Sequence, residues 1–346
     1  MQSNLEVKIN KILERSIDNK RVFGLSFYAK SEKFEFTTSK GNLKIDDQFF
    51  IASTTKLFVT AIIMQLRFEK KLLLEDKLLI HIPEEIISKL NFYNGVDYSN
   101  QITIKQLLAH TSGVPDYFEG RQENGKSLLD DLTSGIDQYW SFNDIITETR
   151  KIKSTFMPDQ KGKALYSDTN FQLLGKIIET IEKKSFDLVL SERILKPLKL
   201  SNTFMYRDAD DIRPKHMYYK ENELIIPRAM SSFGPDGGII STSKDLMTFL
   251  NAFFEGNIIP IEYIEKMQIW NRIFYPLESG IGIHRLKLPW IFSPFKPIPE
   301  IIGHSGLSGA FAYFCPKKNL YMTGTVNQIS NPDISFKLMI KILNLF

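Results

Sequence analysis

The stretch Leu57 to Leu66 constrains this chain most. Phe58, Ile62 and Leu66 recur at steps of four, and Leu57, Ala61 and Met64 fill the flanks, a spacing that predicts a helix. The helix is apolar nearly all round, so it belongs inside the protein rather than on its surface. Everything else must therefore wrap around it.

The same helix begins unusually. Ile51-Ala-Ser53-Thr-Thr-Lys56 leads into it, with a hydroxyl residue and a lysine three positions apart. Positions i and i+3 share a helix face, so Ser53 and Lys56 are expected to point the same way, with Ser53 at the helix N-terminus. Ser-x-x-Lys occurs by chance in many chains, often as a cap followed by a surface lysine. Here the lysine heads a buried helix and needs a reason to be there. Nucleophilic chemistry supplies one. A serine hydroxyl is weakly nucleophilic until a base takes its proton, and a lysine is such a base when burial or a nearby positive charge keeps it neutral. Free N–H groups at the helix start would stabilise negative charge growing on an attacked carbonyl.

Composition removes several other function classes. The 346 residues are 43% hydrophobic and 24% charged, ordinary for a globular protein with a large core. A net charge of +4 on this length argues for neither nucleic acid nor a membrane surface as partner. No apolar run reaches the length of a transmembrane helix. Met1 to Lys20 is polar and amphipathic without the apolar core of a signal peptide. The chain as given is therefore expected in the cytoplasm, with an exported form after removal of a leader as the alternative. The single cysteine, Cys315, allows no intrachain disulfide and reads as a small buried residue at a strand end. His81, His216 and His284 lack metal-ligand spacing, so neither a metal nor another cofactor is expected. The oligomeric state is left open.

Strand patterns lie at both ends of the chain. Val22 to Tyr28 and Phe34 to Thr38 read as a hairpin. Gly280 to Leu286, Ile301 to His304, Ala310 to Phe314 and Tyr321 to Val326 read as strands. Helical patterns fill the middle: a short connection within Leu72 to Leu90, 102–109 with Thr103 as a possible N-cap, Ser141 to Lys151, and Phe171 to Lys183. Residues 118–137 read as a long surface loop holding a helix, and Pro289 to Pro299 as a stiff aromatic loop. The expected class is α/β in the α+β sense: one antiparallel sheet built from both chain ends, flanked by helices. As one domain over 1–346, the sheet part covers about 1–60 and 235–346, and a mainly helical region is inserted over about 61–234.

Five stretches then add up to a resemblance. Ser53-Thr-Thr-Lys56 resembles the Ser-x-x-Lys element of serine β-lactamases and penicillin-binding proteins. Leu107-Leu-Ala-His110-Thr-Ser-Gly113-Val-Pro115 resembles a landmark of the class C β-lactamase-like branch. That group includes D-alanyl-D-alanine carboxypeptidase-like enzymes and family VIII-type esterases. Tyr166-Ser-Asp168 is similar to the branch's Tyr-x-Asn element, and Gly234-Pro-Asp-Gly-Gly238 to its glycine-rich stretch. Gly303-His304-Ser-Gly306 resembles its third element, where lactamases have Lys-Thr-Gly and many esterase and peptidase relatives have His-x-Gly. Order and spacing fit over roughly residues 5–346.

The resemblance implies a β-lactamase/transpeptidase-like fold and a serine hydrolase working through an acyl-enzyme on a small-molecule or peptide substrate. Ser53 is then the nucleophile, Lys56 helps take its proton, and Tyr166 is the partner base with a lowered pKa, passing the proton to the leaving group. His304, on an edge strand beside the site, orients substrate or supports Tyr166. The oxyanion hole is expected from the backbone N–H groups of Ser53 and Leu307, after the Gly306 turn. Asp168 stands where the family usually has Asn; a carboxylate there would hold Lys56 charged unless it points away or Asn170 takes the amide role. His304 in place of lysine is a poorer anchor for a substrate carboxylate. Three substrate types stay open: a D-amino-acid peptide, a carboxylic ester or a β-lactam. A penicillin-binding or sensor protein that acylates without efficient turnover, or a weak β-lactamase, is the alternative.

Overall fold

A computed structural model describes residues 2–288 and 297–346. An eight-stranded antiparallel sheet runs in the order Asn271–Phe274, Leu277–Ser279, His284–Leu286, Ile301–Ser305, Ala310–Cys315, Leu320–Thr325, Gly24–Ser31, Phe34–Gly41. The sheet does join the two ends of the chain: Tyr28 lies opposite Thr323, and Ala310 opposite Thr325. Alternation along the strands separates two cores. Phe27, Ala29, Phe311 and Tyr313 face a layer made by the helices Gln2–Glu14 and Asp333–Leu343. Tyr28, Ala310 and Ala312 face the larger core, which holds the helices Thr55–Phe68, Asp168–Glu182 and Ser243–Phe254.

Thr55–Phe68 is buried as its composition requires. Every residue from Thr55 to Met64 is inaccessible, and Phe58 stacks on Phe249 with ring centroids 3.6 Å apart. The expected caps form: Thr103 starts Ile104–Leu108 in a reciprocal box with Gln106, and Ser141 starts Phe142–Lys151 with Asp144. Cys315 ends its strand, buried.

Four expectations change. The Leu72–Leu90 connection holds only single turns at Leu78–Ile80 and Glu84–Ile87, because Asp76 closes a turn on the Leu73 N–H and Pro83 halts propagation. Residues 118–137 do hold a helix, Leu128–Thr133, but Phe118 and Leu132 are buried rather than on the surface. Two short strands, Asn271–Phe274 and Leu277–Ser279, extend the sheet beyond the expected set, while Gly280 to Ile283 is loop. Ile301–Ser305, which carries His304, is an interior strand and not an edge, because His284–Leu286 pairs along its outer side. The expected aromatic loop falls mostly on residues 289–296, outside the described residues.

Candidate active site

Ser53 is presented by a strained turn. The strand Gln48–Phe50 pairs with Ile239–Ser241, then the chain bends through Ala52 at φ +45°, a left-handed conformation that L-residues rarely adopt. A 3-10 turn, Ala52–Thr54, lifts Ser53 onto the head of Thr55–Phe68. The end of strand Ile301–Ser305 is clamped against this bend. A Cβ on Gly306 would lie 2.3 Å from the Ile51 carbonyl oxygen, so only glycine allows the approach. Ser308 Oγ donates to the Phe50 carbonyl at 2.6 Å and ties the same turn down. Within it, Gly306 N–H donates to Ala310 and Gly309 N–H to Gly306. Leu307 lines the cleft in front of Ser53.

Lys56 lies beside Ser53 as the spacing predicts, and its side chain is completely buried. Its amine donates to Ser53 Oγ at 3.2 Å, to Asp168 Oδ1 at 2.5 Å and to the Asp236 carbonyl at 2.5 Å. Those three acceptors match the three protons of an ammonium group. Asp168 therefore points at Lys56, not away. It opens the helix Asp168–Glu182, where a carboxylate is favoured by the helix dipole. Asn170 does not take the amide role: it accepts from Ser112 Oγ at 2.8 Å and donates to the Leu107 carbonyl at 3.2 Å.

Tyr166 comes from a loop far along the chain, and its hydroxyl donates to Ser53 Oγ at 2.7 Å. The structure thus brings Ser53, Lys56 and Tyr166 together. It does not lower the phenol's pKa. Burial first and then the charge of Asp168 push it well above the ordinary value, with lesser pushes from Glu119 and Asp116, against the opposing bond to Ser53. The phenol keeps its proton.

Asp116, Glu119 and Asp236 were not singled out from sequence. Asp116 is buried one turn after the His110–Gly113 cluster and accepts the Asp168 N–H at 3.1 Å. Asp236 accepts from the Tyr117 hydroxyl at 2.6 Å. Burial first, then the charge of Asp168, raise the pKa of both. Glu119 is raised to about 7, by burial of its carboxyl and then by Asp168. The residue as a whole is exposed at the cleft mouth, and water there screens the carboxyl, so the rise is smaller than a fully enclosed group would show. The cleft carries Glu119, Asp168 and Asp236 on its lining, with Phe118, Met230 and Phe233 as its apolar wall.

His304 is brought near, but buried: it is 1% exposed, stacks on His284 with centroids 3.9 Å apart, and donates from Nδ1 to the Ser305 carbonyl at 2.8 Å. His284 in turn meets the Tyr166 ring edge-on at 5.8 Å. His110 braces a turn, as its setting suggests, and also lies against Tyr166 at 4.6 Å. Among the described residues no group of His, Cys, Asp or Glu is arranged to hold a metal ion, and no helix is long and apolar enough to cross a membrane.

A profile of the family described as Beta-lactamase matches residues 17–336. The chain belongs to the Beta-lactamase family. Protein flp of Staphylococcus aureus strain N315 is 30% identical over 213 residues, 59% of this chain and 39% of that protein, so the match spans well under half of this relative's length. Among solved structures, a D-stereospecific amidohydrolase from Streptomyces sp. superposes with a TM-score of 0.77 at 24% identity, over 96% of this chain and 97% of that one. The D-amino acid amidase from Ochrobactrum anthropi SV3 gives 0.79 at 20% identity, over 98% and 100%. These likenesses establish the fold, a β-lactamase/transpeptidase-like sheet with helices, and place hydrolases among the family's structural relatives.

Proposed function

We propose that the protein is a serine hydrolase that cleaves an amide through an acyl-enzyme, on a substrate carrying a positively charged amine. One observation carries the reading: Ser53 Oγ lies within hydrogen-bond reach of both Lys56 Nζ and the Tyr166 hydroxyl, at 3.2 and 2.7 Å. A nucleophile needs one group to remove its proton and another to protonate what leaves. Lys56 serves the first role once it has handed a proton to Asp168, its ion-pair partner. Ser53 Oγ then bonds to the carbonyl carbon while its proton passes to Lys56. Tyr166, holding its proton, gives it to the departing nitrogen as the C–N bond breaks, and Lys56 restores it. Water repeats the sequence in reverse and releases the acid. The backbone N–H groups of Ser53 and Leu307 would hold the oxyanion.

The cleft suggests the substrate class. Glu119 forms no ion pair among the described residues and stands at the mouth with Asp168 and Asp236 deeper in. Acidic lining beside an aromatic wall suits an ammonium group next to an apolar side chain. Amino-acid amides and short peptides, the D-forms included, have that pattern, and the names of two structural relatives point the same way. Carboxylic esters would use the same steps.

Intact-mass measurement tests this. A fluorophosphonate should add once to the wild type and not to Ser53→Ala, and phenylalanine amide in its D-form should be turned over. An adduct on another residue would sink the assignment. The ion pair of Asp168 with Lys56 favours one second reading, a binding or sensor protein that acylates without release. A penicillin adduct stable for hours, with no amide or ester turnover, would establish that instead.

A further inference from the structure

We infer that His110 is a positioning residue for Tyr166, fixing where its hydroxyl stands relative to Ser53. The inference rests on the proposed role of Tyr166 as proton donor to the leaving group.

His110 holds the chain on both sides of Tyr166. Its carbonyl accepts the Leu165 N–H at 2.9 Å, and its ring Nδ1 accepts the Ser167 N–H at 3.1 Å. One residue thus pins the peptides before and after the phenol. The ring does a third thing: it lies 4.6 Å from the Tyr166 ring, inclined by 29°. His110 itself is in the left-handed region, at φ +58°, where the turn after Ile104–Leu108 places it. Because Nδ1 accepts, it carries no proton, so the neutral ring must carry one on Nε2. Asn170 Nδ2 sits 3.3 Å from the same Nδ1 and favours that tautomer. His284 meets the phenol edge-on from an adjacent side, 6.0 Å from the His110 ring, and is backed by His304.

The arrangement is expensive for mere packing. The Nε2 atoms of His110, His284 and His304 are all buried with no protein group to bond to, and leaving a buried polar atom unpaired opposes folding. Phenylalanine would fill the same space without that cost. What it could not do is accept the Ser167 N–H. Burial, followed for His110 by the charges of His284 and Lys56, keeps these imidazoles uncharged, and His284 is brought down to about 3. They can therefore flank the phenol without adding positive charge beside Lys56.

The test separates geometry from bulk. In His110→Asn the amide oxygen stands about where Nδ1 was and Asn accepts a left-handed backbone; in His110→Gln the oxygen is one bond too far. Each is assayed on an amide, whose leaving nitrogen needs a proton, and on a p-nitrophenyl ester, whose leaving group does not. His110→Gln should lose about 10²-fold in kcat on the amide, the scale of a lost acid catalyst, with KM unchanged and the ester's acylation burst within about 3-fold. His110→Asn should recover to within about 10-fold of wild type. In a Tyr166→Phe background His110→Gln should cost little more, since the two act as one unit. Equal losses on both substrates, or Asn no better than Gln, would overturn the inference. Should His110→Gln fail to fold, His110→Phe decides: it keeps a ring against the phenol and removes the Nδ1 acceptor, and a loss near 10²-fold on the amide alone supports positioning, whereas amide kcat within about 3-fold of wild type overturns it. A wild type that turns over neither substrate defeats the hydrolase reading itself, a different outcome.

Discussion

Two sides of the Ser53 cleft are built from opposite materials. On one side Asp116, Glu119, Asp168 and Asp236 crowd around a single cation, Lys56. On the other, three imidazoles and the Gly306–Gly309 turn present no charge. Apart from Glu119 at the mouth, both sides are buried, yet burial has opposite consequences. It raises carboxyl pKa values and lowers those of histidines, so each wall drifts toward neutrality except where a partner intervenes. The partner is Lys56, which holds Asp168 in an ion pair. Polarity at this site is thus concentrated in one pair adjoining the nucleophile. Tyr166 stands at the boundary, its hydroxyl on Ser53 and its ring against histidine.

The contrast can be broken from the nucleophile outward. Ser53→Ala should cut turnover by at least about 10³-fold, the scale of a removed nucleophile, and abolish the covalent adduct seen by mass. Residual turnover near wild type would place the chemistry elsewhere. Lys56→Met should abolish turnover and also cost about 3–5 kcal/mol of stability in urea unfolding, because Asp168 is left charged and unpaired in the interior. Combining it with Asp168→Asn should return most of that stability but no activity; additive losses would mean the ion pair is not the polar centre of the wall. Tyr166→Phe should lower amide kcat by about 10²-fold with little change in stability. The smallest effect belongs to the cleft mouth. Glu119→Gln should raise KM about 10-fold for an amine-bearing amide, roughly one charge-assisted contact, and leave KM for a neutral ester alone. The sign with pH follows from the raised pKa of about 7. The carboxylate forms as pH rises through that value, while an α-amine stays cationic up to about 8. KM for the amine should therefore fall from pH 6 to 7.5 in the wild type and stay flat in Glu119→Gln. A neutral ester showing the same trend would remove Glu119 from substrate binding.

Much of this was legible in the residues. The burial of Thr55–Phe68 follows from its all-round apolar pattern, and the pairing of the chain ends from where the strand patterns lie. Ser53 and Lys56 are three residues apart, so helix geometry alone aligns them. Tyr166 is 110 residues away from Lys56 and was placed only through the resemblance of its surrounding motif. Three things were not legible. Short strands such as Leu277–Ser279 carry too few residues to show a period of two, and the pairing of His284–Leu286 outside the His304 strand is a matter of sheet order rather than of local pattern. Whether Asp168 faces Lys56 depends on the start of a helix relative to another, which no local pattern encodes. The phenol's pKa depends on Asp116 and Glu119, ordinary acids in the sequence that become neighbours only through folding. One signal was available: Asp116, Tyr117 and Glu119 directly follow the His110–Gly113 turn, and polar residues beside a tight turn at a cleft are candidates for its lining.

Gly306 reaches within touching distance of Ile51, and the strand Gly24–Ser31 is completed only by Leu320–Thr325. In a chain made from its N-terminus onward, Ser53 emerges early but its seat cannot close until some 250 further residues have been synthesised, and such distant pairings form slowly. A nascent polypeptide holding Ser53 and Lys56 would therefore be inert toward carbonyl compounds around it, and reactivity would arrive only with the last strands.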